Sequence, residues 1–278
     1  MGNGMIIIID ELNRHKYASI LEDMYKLRAR VFQDRLGWEV KVTDGKEIDE
    51  FDDLQPTHVV SIDDDGDVVG CMRLLQTTGP HMLADVFYSI LEGEPPLRSA
   101  QVWEATRFCV DTAKLSGGKT RNSISYVTSE VMIGAFEYAQ KAGVLDAVAV
   151  IDPVMNRVLK RSGNAPYDYL GNAKPMGKVT AMAALMDCSD ERIESVRAFS
   201  GIRHDVFATD EDIHARRSAR MNRQKAPASK PIGDLHDYFA QQMRDANDAE
   251  EVDAVKRLMQ AVEEQLSDGG YQPERRHS

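Results

Sequence analysis

Ionised side chains inside apolar segments need partners, and this chain has three stretches where they occur. The first is Tyr25-Lys-Leu-Arg28-Ala-Arg30-Val-Phe32-Gln-Asp34-Arg35-Leu-Gly37-Trp38, alternating charges with two large aromatics up to a glycine break. The second, Glu47-Ile-Asp49-Glu50-Phe51-Asp52-Asp53, gathers acids around one aromatic. The third, Trp103-Glu104-Ala-Thr106-Arg107-Phe108, sets a carboxylate and a guanidinium into a strand-like run, as Arg73 does in 68–75. Buried charges survive only when paired. Arg28, Arg73 and Arg107 are therefore expected to answer Asp49, Asp52 and Glu104. Such a set either pins a loop over a sheet or builds a site, in which a buried carboxyl with a raised pKa accepts a proton near neutrality. One difficulty is geometric. Residues three apart in a regular strand face opposite sides, so either a bulge re-aims Glu104 or Arg107 or the two serve different faces.

Other motifs carry less. Ser116-Gly117-Gly118-Lys119-Thr120 resembles part of a phosphate loop, but Ala113 stands where the first glycine of the full pattern belongs. The run Asp63-Asp64-Asp65-Gly66-Asp67 lacks the closing glutamate of a calcium loop and reads as a turn. The 7 histidines form no HxxxH or HExxH pair, so no metal site is expected. Cys71, Cys109 and Cys188 are too scattered for a disulfide framework, which suits a reducing cytoplasm.

The elements that must position these residues follow from periodicity. Residues 5–10, 57–62, 68–75, 101–111, 144–151 and 178–186 have strand character. Helical spacing marks 17–32 through Ile20, Met24, Leu27 and Val31, as well as 123–142 and 153–162. Residues 37–56 read as loop. The mixed order predicts an α/β sandwich around one mainly antiparallel sheet.

The 278 residues carry 34 basic and 45 acidic side chains, a net charge of −11. Residues 216–278 hold 11 of each sign, so the whole −11 belongs to the first 215. An acidic body argues against nucleic-acid binding, which depends on neutralising phosphates. No apolar run approaches the length of a membrane helix. Residues 216–230, with 6 basic side chains and no acid, read as a basic linker. Residues 231–278 read as a helical C-terminal extension, either packed on the body or self-associating.

The first two stretches together with Glu104-x-x-Arg107-Phe108 resemble the signature of the LuxI-type acyl-homoserine lactone synthases, the quorum-sensing autoinducer enzymes. The family's invariant positions correspond to Arg28, Phe32, Trp38, Asp49, Asp52, Arg73, Glu104 and Arg107, all present in order, and Arg161-Ser162-Gly163 also fits. The likeness spans roughly 5–210. It implies one domain related to the GCN5-like N-acetyltransferases, whose central strand is known for a bulge. The substrates implied are S-adenosylmethionine and an acyl group on acyl carrier protein or coenzyme A, with no separate cofactor.

The resemblance also implies roles. Glu104 is the base or proton relay, with Asp49 and Arg107 beside it. Arg28 and Arg107 suit the carboxylate or adenosyl moiety of S-adenosylmethionine. Phe32, Trp38 and Phe108 suit its apolar and cationic surfaces. Asp49, Asp52 and Arg73 pin the loop. Ala149, Ile151, Met155 and Thr106 are expected around the acyl chain. Members selecting 3-oxo chains tend to carry Thr at the position of Ala149, which points to a chain without that oxygen. Arg157, Lys160 and Arg161 lie on one side of a helix and suit an acidic carrier protein. The alternatives are an ordinary acetyl-CoA N-acetyltransferase, whose pyrophosphate loop is missing here, and a non-catalytic binding paralogue.

Overall fold

A computed structural model describes residues 5–115, 123–176 and 179–225, with isolated positions 243, 252, 253, 256 and 257 beyond them. The chain divides into two units, Met1–Arg220 and Met221–Ser278. The first holds the fold described below.

Its sheet has seven strands in the spatial order β1 (Ile6–Ile9), β4 (Thr57–Ile62), β5 (Val68–Gln76), β6 (Val102–Val110), β7 (Asp146–Ile151), β9 (Val179–Asp187) and β8 (Asp168–Met176). Every neighbouring pair is antiparallel except β6 and β7. A separate hairpin joins β2 (Val42–Thr43) to β3 (Lys46–Glu47). Its turn residues Asp44 and Gly45 are both at positive φ, as a two-residue Asp-Gly hairpin requires.

Both faces of the sheet are covered, which is why its strands read as continuous apolar runs. One face packs on α4 (Ile124–Lys141) and α6 (Asp190–Ser200), where Ile6, Val59, Met72, Ala147 and Ala184 meet Val131, Phe136 and Val196. On the other, α1 (Ala18–Ala29) buries Ile20, Met24 and Leu27 with Ile7, Val60 and Cys71. A third cluster lies under α2 (Met82–Asp85) and the 3-10 turn Tyr88–Leu91, where Leu83 and Ile90 meet Val148 and Ala183. The shorter helices are α3 (Thr112–Leu115) and α5 (Pro153–Arg161), the latter capped by Asp152, which accepts from the Met155 N–H at 2.7 Å.

Two features depart from a regular sheet. In the β5–β6 ladder Cys71 faces Cys109 and Arg73 faces Thr106, so Met72 alone is opposed by both Arg107 and Phe108. This is a β-bulge, and Arg107 adopts φ 51 within it. Further, β6 and β7 pair only from Val102↔Asp146 to Glu104↔Val148. Past that point they part, and Ala105 to Phe108 stay half-buried although their strand lies at the centre of the sheet.

Several expectations need correcting. Residues 37–56 are not plain loop but contain the β2–β3 hairpin and a 3-10 turn, Glu50–Leu54. The first helix passes at Arg30 into a π-helix, Arg30–Arg35. Strand β8 was not foreseen. It is an edge strand, and its Gly171 lies at φ 59 where a Cβ would come within 1.9 Å of the Ile90 carbonyl oxygen.

The basic run is not a linker as far as Lys225, because α7 (Asp210–Lys225) is helical. Arg216 donates to Asp64 at 2.7 Å, Arg217 to Asp23 at 2.6 Å, and Arg220 pairs with Asp23 and Asp67. Lys114 also pairs with Asp63 and Asp67, so cations of the chain itself cover the acidic turn. Among the described residues no group suits a metal ion, and no helix is long and apolar enough to cross a membrane. Residues 226–230 and, but for isolated helical positions, the expected extension over 231–278 lie outside the described residues.

Candidate active site

Three guanidiniums and three carboxylates meet between α1, the β2–β3 hairpin and the bulged centre of the sheet. Arg28 is brought there by the inward stripe of α1 and is fully buried. Its Nη1 and Nη2 donate to the two oxygens of Asp52, each at 2.8 Å, and its Nε donates to Glu47 at 2.5 Å. Arg73, also fully buried, donates to Asp49 at 2.5 and 3.0 Å, to Thr106 Oγ1 at 3.0 Å, and pairs with Asp52 at 3.0 Å. Arg107 donates from Nε to Glu47 at 3.1 Å and from Nη2 to Asp49 at 2.6 Å.

Local structure aims the acids. Asp49 caps the 3-10 turn, accepting from the Phe51 N–H at 3.0 Å, and Asp52 accepts from the Asp49 N–H at 3.0 Å. This reciprocal box presents both remaining oxygen edges to the arginines. Burial pushes the Asp52 carboxyl up, but Arg28 and then Arg73 overcome it and hold it below the usual range. Burial likewise lowers the His58 imidazole to about 3, so this ring beside Asp52 is neutral.

Glu104 stands apart from the ion pairs. It is fully buried at the last residue where β6 and β7 still pair. Its oxygens accept main-chain N–H groups of Met82 at 2.6 Å and Leu83 at 2.8 Å. Burial raises its pKa to about 7, against the lowering by those two N–H groups and Arg73. The expectation that an arginine answers Glu104 is thus corrected: Glu47 fills the network instead. Glu47 was present in the acidic run, but only the path of the hairpin shows that it is buried.

The aromatic wall comes from the π-helix. Phe32 is buried and Trp38 is 42% exposed, their rings stacked at 5.2 Å and 17°. Gly37 at φ 63 lets the chain turn back so that the Trp38 N–H donates to the Phe32 carbonyl at 2.9 Å. The Arg107 guanidinium lies 5.7 Å from the Phe32 ring centre. Arg107 and Asp49 keep about a tenth of their side-chain surface open, whereas Arg28, Arg73, Glu47 and Asp52 have almost none.

Three expected contacts are corrected by these positions. Arg28 gives its donors to Glu47 and Asp52 and has no surface for a ligand, so it holds the loop. Phe108 packs on the α4 side of the sheet, away from Phe32 and Arg107, because the bulge inverts the alternation. Thr106 accepts from Arg73 on the α1 side, while Ala149, Ile151 and Met155 belong to the α4-side cluster, so Thr106 does not share their pocket. On α5, Arg157, Lys160 and Arg161 are exposed, and none has a carboxylate partner among the described residues.

Residues 12–196 match the autoinducer synthase family. The chain is 36% identical over 192 residues to a probable acyl-homoserine-lactone synthase of Sinorhizobium fredii, covering 69% of this chain and 91% of that protein. It is 34% identical over 192 residues to the acyl-homoserine-lactone synthase of Agrobacterium fabrum, covering 69% and 90%. Among solved structures, the synthase LasI superposes with a TM-score of 0.61 at 30% identity, over 73% of this chain and all of that one. MesI, a CoA-dependent acyl-homoserine lactone synthase, gives 0.63 at 29% identity, over 74% and 99%. The chain belongs to the autoinducer synthase family as an acyl-homoserine-lactone synthase.

Proposed function

We propose that the protein joins S-adenosylmethionine to an acyl thioester, forming the amide first and the lactone second. The observation that carries this reading is the Glu104 carboxyl, buried where β6 and β7 part, with a pKa raised to about 7. An α-amine has a pKa of about 7.7–8.0, so the two groups exchange a proton at little cost near neutrality. Glu104 takes the proton as the amine nitrogen bonds to the thioester carbonyl, and the C–S bond breaks to release a thiol. The methionine carboxylate then attacks the carbon beside the sulfonium, and methylthioadenosine leaves with the C–S electron pair. Both steps are displacements, so no further cofactor is needed.

The other groups follow from their exposure. Trp38, backed by the buried Phe32 ring stacked on it, offers a π face to the sulfonium and adenosyl group, and Arg107 and Asp49 offer one charge of each sign. Arg28, Arg73, Glu47 and Asp52 hold that surface in place from behind. The parting of β6 and β7 gives the acyl thioester an approach, with Ala149, Ile151 and Met155 on its α4 side. The exposed cations on α5, none with a carboxylate partner among the described residues, support an acidic acyl carrier protein as donor.

The test is incubation of pure protein with S-adenosylmethionine and an acyl donor, followed by mass spectrometry. Acyl-homoserine lactone and methylthioadenosine in equal amounts are expected. Acylation of another amine without S-adenosylmethionine would indicate an ordinary N-acetyltransferase, and no product would indicate a binding paralogue.

A further inference from the structure

The helix beyond the family match runs beside the helix that carries Arg28 and leads into Phe32. At its start Asp210 accepts from the Tyr17 hydroxyl and pairs with Lys16, just before α1. One turn on, Ile213 is buried in the same apolar cluster as Ile20, Met24, Leu27 and Phe32. Further along, Arg217 and Arg220 converge on Asp23, in the middle of α1, with all three side chains 20% exposed or less. The approach to α7 is tied to the sheet as well: Ile6 donates to the Val206 carbonyl at 2.8 Å, and Ala208 donates to the Ile6 carbonyl at 2.9 Å. Three successive attachments along one helix fix its position along its axis. Asp23 is five residues from Arg28, roughly 7.5 Å along the helix, and the π-helix with Phe32 follows at once.

We propose that α7 is a positioning element of the adenosyl site. The Asp23–Arg217–Arg220 bridge sets the height of α1, and so the place at which Phe32 and Trp38 meet Arg107. Arg217 and Arg220 touch no substrate and act through α1. The inference rests on the reading of Phe32 and Trp38 as the wall for S-adenosylmethionine.

The experiment uses the full chain and measures kcat, both KM values and the melting temperature. Arg217→Gln with Arg220→Gln is expected to raise KM for S-adenosylmethionine at least fivefold, with kcat and the acyl-donor KM within twofold. Arg217→Lys with Arg220→Lys, which keeps both charges, should restore wild-type values to within twofold. Arg216→Gln is the control, because Arg216 pairs with Asp64 on the β4–β5 turn and not with α1. It removes a bridge of α7 but should leave KM for S-adenosylmethionine unchanged. An unchanged KM in the glutamine pair, an equal rise in both KM values, or the same effect from Arg216→Gln would each overturn the proposal. If the glutamine pair does not fold, Arg217→Gln alone should still raise that KM about twofold, and no rise there overturns it too. Calorimetry on the wild type separates the two readings. No S-adenosylmethionine binding there removes the site assignment and the inference with it, whereas normal binding by wild type and variant alike sinks only the inference.

Discussion

Glu104 and Arg107 are three residues apart on one strand, yet both reach Met82. The Met82 N–H donates to Glu104 at 2.6 Å, and an Arg107 Nη1–H points at the Met82 sulfur at 3.4 Å. The bulge makes this possible, with Arg107 held at φ 51. The two groups share a side without pairing, and that keeps the carboxyl basic. A guanidinium in direct contact would have lowered its pKa instead of leaving burial to raise it.

Loss of that base should be visible in rate and in pH dependence. Glu104→Gln is expected to cut kcat by about 10²–10⁴ while circular dichroism shows the fold retained. In the wild type kcat/KM should climb as pH rises through about 7, since the carboxylate takes the proton. The glutamine variant should lack that limb. The sign for stability is opposite: with a folded pKa raised above its ordinary 4.5, this group favours the folded state at low pH and loses that contribution as pH rises through 7. An unchanged pH–rate profile in the variant would remove Glu104 from proton transfer.

Arg28 and Trp38 should fail in different ways. Arg28→Ala leaves Glu47 and Asp52 buried with a partner missing, which costs about 3–5 kcal/mol in denaturant melts. Trp38→Ala, at a half-open position, should leave the melt nearly unchanged and weaken S-adenosylmethionine in calorimetry, with acyl-donor affinity retained. If Trp38→Ala weakens the acyl donor and spares the adenosyl ligand, the aromatic wall has been given to the wrong substrate.

Ala149 governs acyl choice in this reading. It is buried in an apolar cluster opposite Ala184 and supplies no hydroxyl. A site without a donor gives a 3-oxo group no hydrogen bond. Thr106, the nearest alternative hydroxyl on β6, is engaged by Arg73 on the other face. A preference for chains lacking the 3-oxo group is expected, shifted toward 3-oxo donors by Ala149→Thr. Competition assays with paired donors decide it, and a wild-type preference for 3-oxo chains above about tenfold would contradict the assignment unless the hydroxyl of Tyr126, which packs on the same cluster, serves as the donor.

The carrier dock is tested by charge. Arg157→Glu with Lys160→Glu should raise KM for acyl carrier protein at least tenfold with kcat nearly constant. High salt should mimic this in the wild type, since the Debye length falls to about 3 Å at 1 M. A small pantetheine thioester should be indifferent to both. Equal losses with both donors would assign the patch to folding or to the active site, and no loss with either would mean that the carrier docks elsewhere or that the donor is acyl-coenzyme A.

Much of this architecture was legible in the residues, and the exceptions have physical causes. Strands covered on both faces show as unbroken apolar runs, so β1, β4, β5 and β7 were visible. β8 is covered on fewer sides and carries Gly171, Asn172, Lys174 and Pro175, which hide it. The arginines and acids stood out because charge inside an apolar run is costly. Which acid meets which arginine was not readable, since Glu47 reaches Arg28 and Arg107 only through the fold of residues 37–56. The faces of Thr106 and Phe108 depended on where the bulge begins. Strict alternation from Glu104 would place Phe108 beside it and Arg107 opposite, and the structure reverses those two.

Arg107 is the supernumerary residue of its strand. Deleting it, rather than replacing it, would set Phe108 alone against Met72 and leave Thr106, Cys109 and Val110 on the faces they already occupy. The ladder would close without interruption and without a left-handed residue, so the shortened chain would be the more regular sheet. It would also have lost its only partly open guanidinium among the three that hold the loop. Secondary structure gains nothing from that extra residue; what the chain gains is the bridge from Arg107 to Glu47 and Asp49.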